Sequence, residues 1–305
     1  VDMASHSGVI SYSATELVIR ARAGTKISLL NNLLAEQHQR LPFEPPSFAG
    51  AATIGGTVAA NQTGASRPWF GGVKDSLLGL GLINGYGEAM QFGGQVMKNV
   101  AGFDVTRLQC GAMGSLGLIT EVSIKVLPEF KAGHTLSFEM TAEAALEAML
   151  RWANLSLPIT GMSHMQGILY VRLQGGESGV ASASQFLGGA TLTPKVAEQF
   201  WQSIREGSAL QPQHDQTLWR WSGSSDRPLH TLPNTALINW AGAERWALTQ
   251  SSNCPANDLI QYQGGDRLAE VYGATSAPQQ ALQQRIKHAF DPHGILNAGR
   301  LYSWM

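Results

Sequence analysis

The segment Ala51-Ala-Thr53-Ile-Gly55-Gly56-Thr57-Val-Ala-Ala-Asn61, continued by Gln-Thr-Gly64, carries almost no side chain large enough to fill a core. Glycine lacks Cβ, so backbone N–H groups here can meet an anion or a planar ring at contact distance, and a pyrophosphate suits that chemistry. A tight turn or close helix packing would use the same residues, and Gly-Gly alone does not separate the two. Two further segments share the character. Gly93-Gly-Gln-Val-Met-Lys98-Asn99-Val-Ala-Gly102-Phe-Asp104 can offer the Asn99 amide, with Lys98 reading as a surface lysine. Gly111-Ala-Met-Gly114-Ser115-Leu-Gly117 feeds an alternating strand. Three such segments in one unit are harder to assign to packing than one.

Other chemistries fail on detail. Gly79-Leu-Gly81 has Asn84 where a nicotinamide-dinucleotide fingerprint needs its third glycine, and it sits inside a hairpin pattern. No Gly-Lys-Ser/Thr phosphate loop occurs, and Met113-Gly-Ser115-Leu-Gly misses the first glycine of a nucleophile elbow. The two cysteines, Cys110 and Cys254, cannot supply the roughly four thiolates of an iron–sulfur cluster or structural zinc site, and they suit a reducing compartment. The eight histidines stand without ligand spacing. A formal net charge of -1 without basic runs leaves no footprint for nucleic acid. No apolar run reaches the roughly 20 residues that span a bilayer, so membrane contact is expected to be peripheral.

The elements that must position these segments follow from periodicity. Val9–Tyr12 and Glu16–Ala23 read as strands, and Thr25 as the N-cap of a helix with Ile27, Leu30, Leu33 and Leu34 on one face. Pro42, Pro45 and Pro46 force an extended path. Asp75 to Phe92 reads as two strands joined across Asn84-Gly85, and Gly117 to Leu127 as a strand ending at Pro128. Pro128 bounds a first, mixed α+β unit, 1–128. A second, 129–277, alternates a strand near Thr135–Met140, helices over 142–153, 179–187 and 194–206, a hairpin over 161–173, and Trp-rich strands over 217–222 and 236–240. That pattern predicts an antiparallel sheet with helices. A last helix over 278–290 opens the segment 278–305. The tryptophans read as core or interface.

Taken in order, Pro45-Pro46, Thr53-Ile-Gly-Gly-Thr, Asn61, Gly72-Val-Lys-Asp75, Met97-Lys-Asn-Val-Ala-Gly-Phe-Asp104, Gly114-Ser-Leu-Gly-Leu-Ile and Asp291-Pro-His-Gly-Ile-Leu-Asn297-Ala-Gly-Arg resemble FAD-linked oxidases of the vanillyl-alcohol-oxidase, or PCMH, type, most closely the FAD-binding E subunits of bacterial glycolate oxidases. The resemblance implies an α+β PCMH-type FAD-binding domain, a cap domain with an antiparallel sheet, and a C-terminal segment that returns to the first domain. It implies that Pro46, Thr53, Gly55, Gly56 and Asn61 line the pyrophosphate and flavin side. By the same likeness Gly114, Ser115, Gly117 and Ile119 meet the adenine half, and Asn297 approaches the flavin. Ile54, Thr57, Gly64, Asn99, Gly102 and Leu118 count with them as cofactor-binding.

The activity implied is oxidation of glycolate, a 2-hydroxy acid, to glyoxylate, with electrons passed on through a second FAD-binding subunit and an iron–sulfur subunit, in the cytoplasm or peripherally at the inner face of the inner membrane. No catalytic base with a carboxylate-binding arginine stands out, Arg172 and Arg220 being the candidates in the cap. The alternatives are a non-catalytic assembly subunit, or a stand-alone oxidase of another hydroxy acid or alcohol. The family carries a further glycine-rich loop upstream of where this chain begins, so the expectation is an N-terminally truncated domain, weak or absent FAD binding and an inactive polypeptide as written.

Overall fold

The computed structural model describes residues 2–94, 104–232, 234–250, 258–266, 270–273 and 275–305. Asn99, Gly102, Lys98 and Cys254 lie outside them. The chain divides into two compact units, Val1–Gly64 with Phe70–Glu129 and Thr275–Met305, and Ala65–Trp69 with Phe130–Ala274.

In the first unit, β1 (Val9–Ser13), β2 (Val18–Arg22), β3 (Leu77–Ile83), β4 (Ala89–Gly93) and β5 (Leu118–Lys125) form an antiparallel sheet in the order β1-β2-β5-β3-β4. Along β5, Val122 and Ile124 alternate into the core, and a register shift opposite Gly81 and Leu82 brings Ile119 onto the same face; they join Ile19, Leu80 and Leu82 from neighbouring strands. Against them pack Ile27, Leu30 and Leu34 of α1 (Ile27–Ala35) and Ile54 and Val58 of α2 (Ile54–Ala60). A short α3 (Val105–Gln109) precedes the Gly111–Gly117 loop.

Two local expectations are corrected. Lys26, not Thr25, holds the N-cap position of α1. Thr25 is fully buried, and its hydroxyl accepts from the Gly8 N–H (2.9 Å) and donates to the Gly8 carbonyl (3.1 Å). The hairpin is joined by residues 84–88 rather than by two residues, because the Asn84 Oδ1 accepts from both Tyr86 N and Glu88 N and folds the loop over its own side chain. The segment Ile54–Ala60 is a helix despite its glycine pair. Its stability comes from burying Ile54 and Val58 and from the Thr53 cap, which override glycine's unfavourable propensity.

The second unit contains β6 (Ala132–Glu139), α4 (Ala142–Ala153), β7 (Ile159–Met165), β8 (Ile168–Gly175), α5 (Glu177–Leu187), α6 (Pro194–Glu206), β9 (Thr217–Ser222), β10 (Thr235–Asn239), β11 (Glu244–Thr249) and β12 (Ile260–Gln263). With the edge pair Ala190–Thr191 they make an eight-stranded antiparallel sheet, ordered from that edge β6-β8-β7-β10-β11-β9-β12. Thr141 caps α4, which buries Ala145, Met149 and Trp152 against Leu169, Val171 and Leu173 of β8. Back in the first unit, the C-terminal helix Ala277–Phe290 buries one residue along its length, Lys287.

Candidate functional site

Helix α2 has two unlike faces. Ile54, Gly55 and Val58 turn inward, and a Cβ built on Gly55 would lie 2.5 Å from the Ala23 Cβ, so this glycine is demanded by packing of the helix against the turn after β2. Thr53, Gly56, Thr57 and Ala60, spaced at one helical face, line a cavity of about 250 Å³ closed by Pro45, Pro46, Phe48, Ala51, Ala52 and Gln62. Gly56 is exposed there, and only the Thr53 hydroxyl, 3.2 Å away, would touch an added methyl. The turn that frames the cavity runs through consecutive residues of positive φ, Phe48, Ala49 and Gly50.

The first amides of α2 are not open to an anion. Ile54 N donates to Thr25 O (2.9 Å), Gly55 N to Ala23 O (2.8 Å) and Gly56 N to the Thr53 Oγ1 (3.3 Å). The sequence reading of these N–H groups as phosphate donors is corrected accordingly. What the face offers is flat, small-residue contact with a few hydroxyls and amides.

At the far end of α2, roughly 10 Å along its axis for seven residues, the Gly111–Gly117 loop is seated on the helix. Gly111 N donates to Val58 O (3.1 Å) and Met113 N to Ala59 O (2.9 Å). Asn61, left-handed at φ 51°, closes the helix, and its Oδ1 accepts from the Cys110 thiol at 3.3 Å. Asn297 joins from the C-terminal segment, its Nδ2 donating to Met113 O at 2.6 Å. The structure therefore gathers α2, the Gly111–Gly117 loop and Asn297 into one region.

Other expected contacts turn elsewhere. The Ser115 hydroxyl is buried and donates to Ala112 O (2.7 Å), Gly117 packs under Leu82, Leu118 pairs with Ile83, and Ile54 and Ile119 lie in the core. Gly64, at φ +89°, sits against the Glu44 carbonyl.

Sequence reasoning missed Lys287 and Asp291. The Lys287 ammonium donates to Asp291 Oδ2 (2.7 Å), Ser115 O (2.8 Å) and Leu296 O (2.7 Å). Asp291 also accepts from Ile295 N (3.1 Å) and Leu296 N (2.8 Å). Burial alone would raise the Asp291 pKa, but the Lys287 bond, the two backbone amides and the lysine charge outweigh it and hold the carboxyl below its ordinary value. The only sequence signal is a Lys-Asp pair four residues apart, which reads as a surface pair.

In the second unit the two candidate arginines, Arg172 and Arg220, are engaged internally. Arg220 Nε donates to the buried Glu244 Oε1 at 2.6 Å, and Glu244 Oε2 accepts from Asn239 Nδ2 (2.9 Å), whose Oδ1 accepts from the Ser163 hydroxyl (2.7 Å). Arg172 donates from Nε to the Thr160 hydroxyl and from Nη2 to the Thr160 carbonyl, both at 3.0 Å, and lies over the Trp201 ring.

The cavity and its small-residue face fit a flat cofactor laid against backbone, and comparison with known proteins names one. Residues 1–93 match the model of the FAD binding domain family. The chain is 40% identical over 308 residues to the glycolate oxidase subunit GlcE of Escherichia coli (strain K12), covering 99% of this chain and 87% of that protein. It is 34% identical over 108 residues to the glycolate oxidase subunit GlcD of Bacillus subtilis (strain 168), covering 35% of this chain and 23% of that one. A solved structure of alkyldihydroxyacetonephosphate synthase superposes with a TM-score of 0.66 at 15% identity, over 97% of this chain and 67% of the other, and so shares the fold. Among the described residues no helix is long and apolar enough to cross a membrane. The extent of the match to GlcE shows that the chain belongs to the GlcE family of FAD-linked oxidase subunits.

Proposed function

We propose that this chain is the FAD-binding subunit of a complex that oxidises glycolate to glyoxylate, and that it acts as an electron relay while the substrate is oxidised on a second, related FAD-binding subunit. The observation that carries the reading is the likeness to GlcE through essentially the whole chain. FAD, when bound, supplies acceptance of electrons and their onward release. The chain's part is to hold it: the Thr53, Gly56, Thr57 and Ala60 face admits a planar group, with Pro46 closing one wall. Gly114 and Asn297 would meet it at the other end.

Two features favour a relay over a self-sufficient dehydrogenase. A 2-hydroxy acid is best gripped by an arginine fork on its carboxylate, yet the Arg220 charge is already compensated by Glu244 and Arg172 is bound to Thr160. Two cysteines cannot hold a cluster, so onward transfer calls for an iron–sulfur partner. We place the complex in the cytoplasm, with any membrane contact peripheral. The second reading, an assembly subunit, draws on the same committed arginines.

Anaerobic mixing with glycolate tests this. The isolated protein supplied with FAD is expected to keep its flavin absorbance, and to bleach when the partner subunits are added. Bleaching without partners would make it a self-sufficient dehydrogenase, and a flavin here that stays oxidised in the reduced complex would leave only assembly.

A further inference from the structure

We propose that Lys287 is a positioning residue of the cofactor site, its buried ammonium setting the Gly111–Gly117 loop and Asn297 against helix α2. The inference rests on the FAD reading above and adds to it a residue that touches neither cavity nor ligand. Desolvating an ammonium is costly, so a helix that needed only to dock would bury leucine or isoleucine at this position. The C-terminal helix instead buries Lys287, 7% exposed, and no other residue.

The three N–H donors of the ammonium meet three acceptors, which satisfies the group completely. One acceptor is the Asp291 carboxylate, which balances the charge. The other two are backbone carbonyls, of Ser115 in the loop and of Leu296 next to Asn297. These are the two segments that Asn297 itself ties together through Met113 O. The loop in turn hangs from the end of α2 by the Gly111 and Met113 amides. One cation thus ties the C-terminal segment to a loop 172 residues away, and that loop carries the link on to α2; a displacement of a binding group by about 1 Å is enough to matter for function.

The test compares Lys287→Met with Leu30→Ala, a core substitution in α1 of the same unit, in the intact protein. FAD binding is measured by fluorescence quenching, folding by thermal denaturation without FAD, and amide hydrogen exchange over Gly111–Gly117 and Ile295–Asn297. Lys287→Met is expected to weaken FAD binding by about tenfold or more and to speed exchange in those two segments, whereas Leu30→Ala lowers the melting temperature and leaves the FAD Kd within about twofold. Lys287→Gln, which retains two donors, takes the same measurements if the methionine variant does not fold. A folded Lys287 variant with FAD binding unchanged overturns the positioning role, as does equal weakening by Leu30→Ala. A parent protein in its full natural length that binds no FAD overturns the cofactor reading itself, and this role with it.

Discussion

Asp291→Ala is expected to lower the unfolding free energy by about 3–5 kcal/mol at neutral pH, because it strands the Lys287 ammonium in a buried site with only carbonyls for company. Asp291 is 2% exposed, and besides the ion pair it accepts the backbone amides of Ile295 and Leu296, so its removal also frees the turn after the helix. Gly85 packs against Asp291 and its N–H donates to Phe290 O, so the β3–β4 loop loosens with it. The pH dependence has a definite sign. The folded carboxyl titrates below its ordinary value, so its stabilisation is fully present above an unfolded pKa of about 3.9 and is lost as pH falls through the lower folded value. Urea melts of the parent and of Asp291→Asn should therefore differ by a constant amount above about pH 5 and converge in more acidic buffer. A difference that grows on acidification would contradict the assignment.

Gly64→Ala is expected to cost about 3 kcal/mol, and to do so whether or not FAD is present. Its backbone, at φ +89°, is strained for any residue with a Cβ, by about 1–2 kcal/mol, and the new methyl would drive into the Glu44 carbonyl. That carbonyl belongs to a residue whose N–H is held by Thr63 O at 2.6 Å, so it has little room to retreat. Gly56→Ala should behave in the opposite way. Alanine gains about 0.5–1 kcal/mol of helix propensity, set against a methyl 3.2 Å from the Thr53 hydroxyl, so stability stays within about 1 kcal/mol. The methyl projects into the cavity, and the FAD Kd is expected to rise about tenfold. Thermal melts and binding isotherms of the two variants, side by side, separate a glycine held by packing from one that faces the cavity. Unchanged FAD binding by Gly56→Ala would remove this face of α2 from the site.

The contrast between those two glycines also shows what could be read in the chain. Where a segment's period and composition agree, as in α4 with its Ala-Leu-Glu run and Thr141 cap, or α6 opening on Pro194, the elements stand where the sequence puts them. The order of the small-residue segments was legible too, because a backbone kept bare leaves its mark in residue type. Which side of that backbone faces ligand was not. Gly55 and Gly56 are adjacent and chemically identical, and only the helical rotation of α2 turns one onto Ala23 and the other toward the cavity. Strand β11 escaped notice because it opens with two buried charges, Glu244 paired with Arg220 and Arg245 donating to the carbonyls of Ser225, Arg227, Pro228 and Gly242. The Lys287–Asp291 pair was hidden in the same manner, since nothing local tells a buried ion pair from a solvated one.

The Lys287 bond to the Ser115 carbonyl spans 172 residues. At about 5–20 residues per second, a ribosome needs roughly ten to thirty seconds to travel that distance. During synthesis the Gly111–Gly117 loop thus emerges, meets α2 and waits, without the clamp that fixes it, until the whole second unit has been made. Premature termination anywhere in the intervening stretch leaves a nascent chain with most of its first sheet and without the Lys287 contact; on the positioning role proposed above, cofactor loading would then wait on completion of translation.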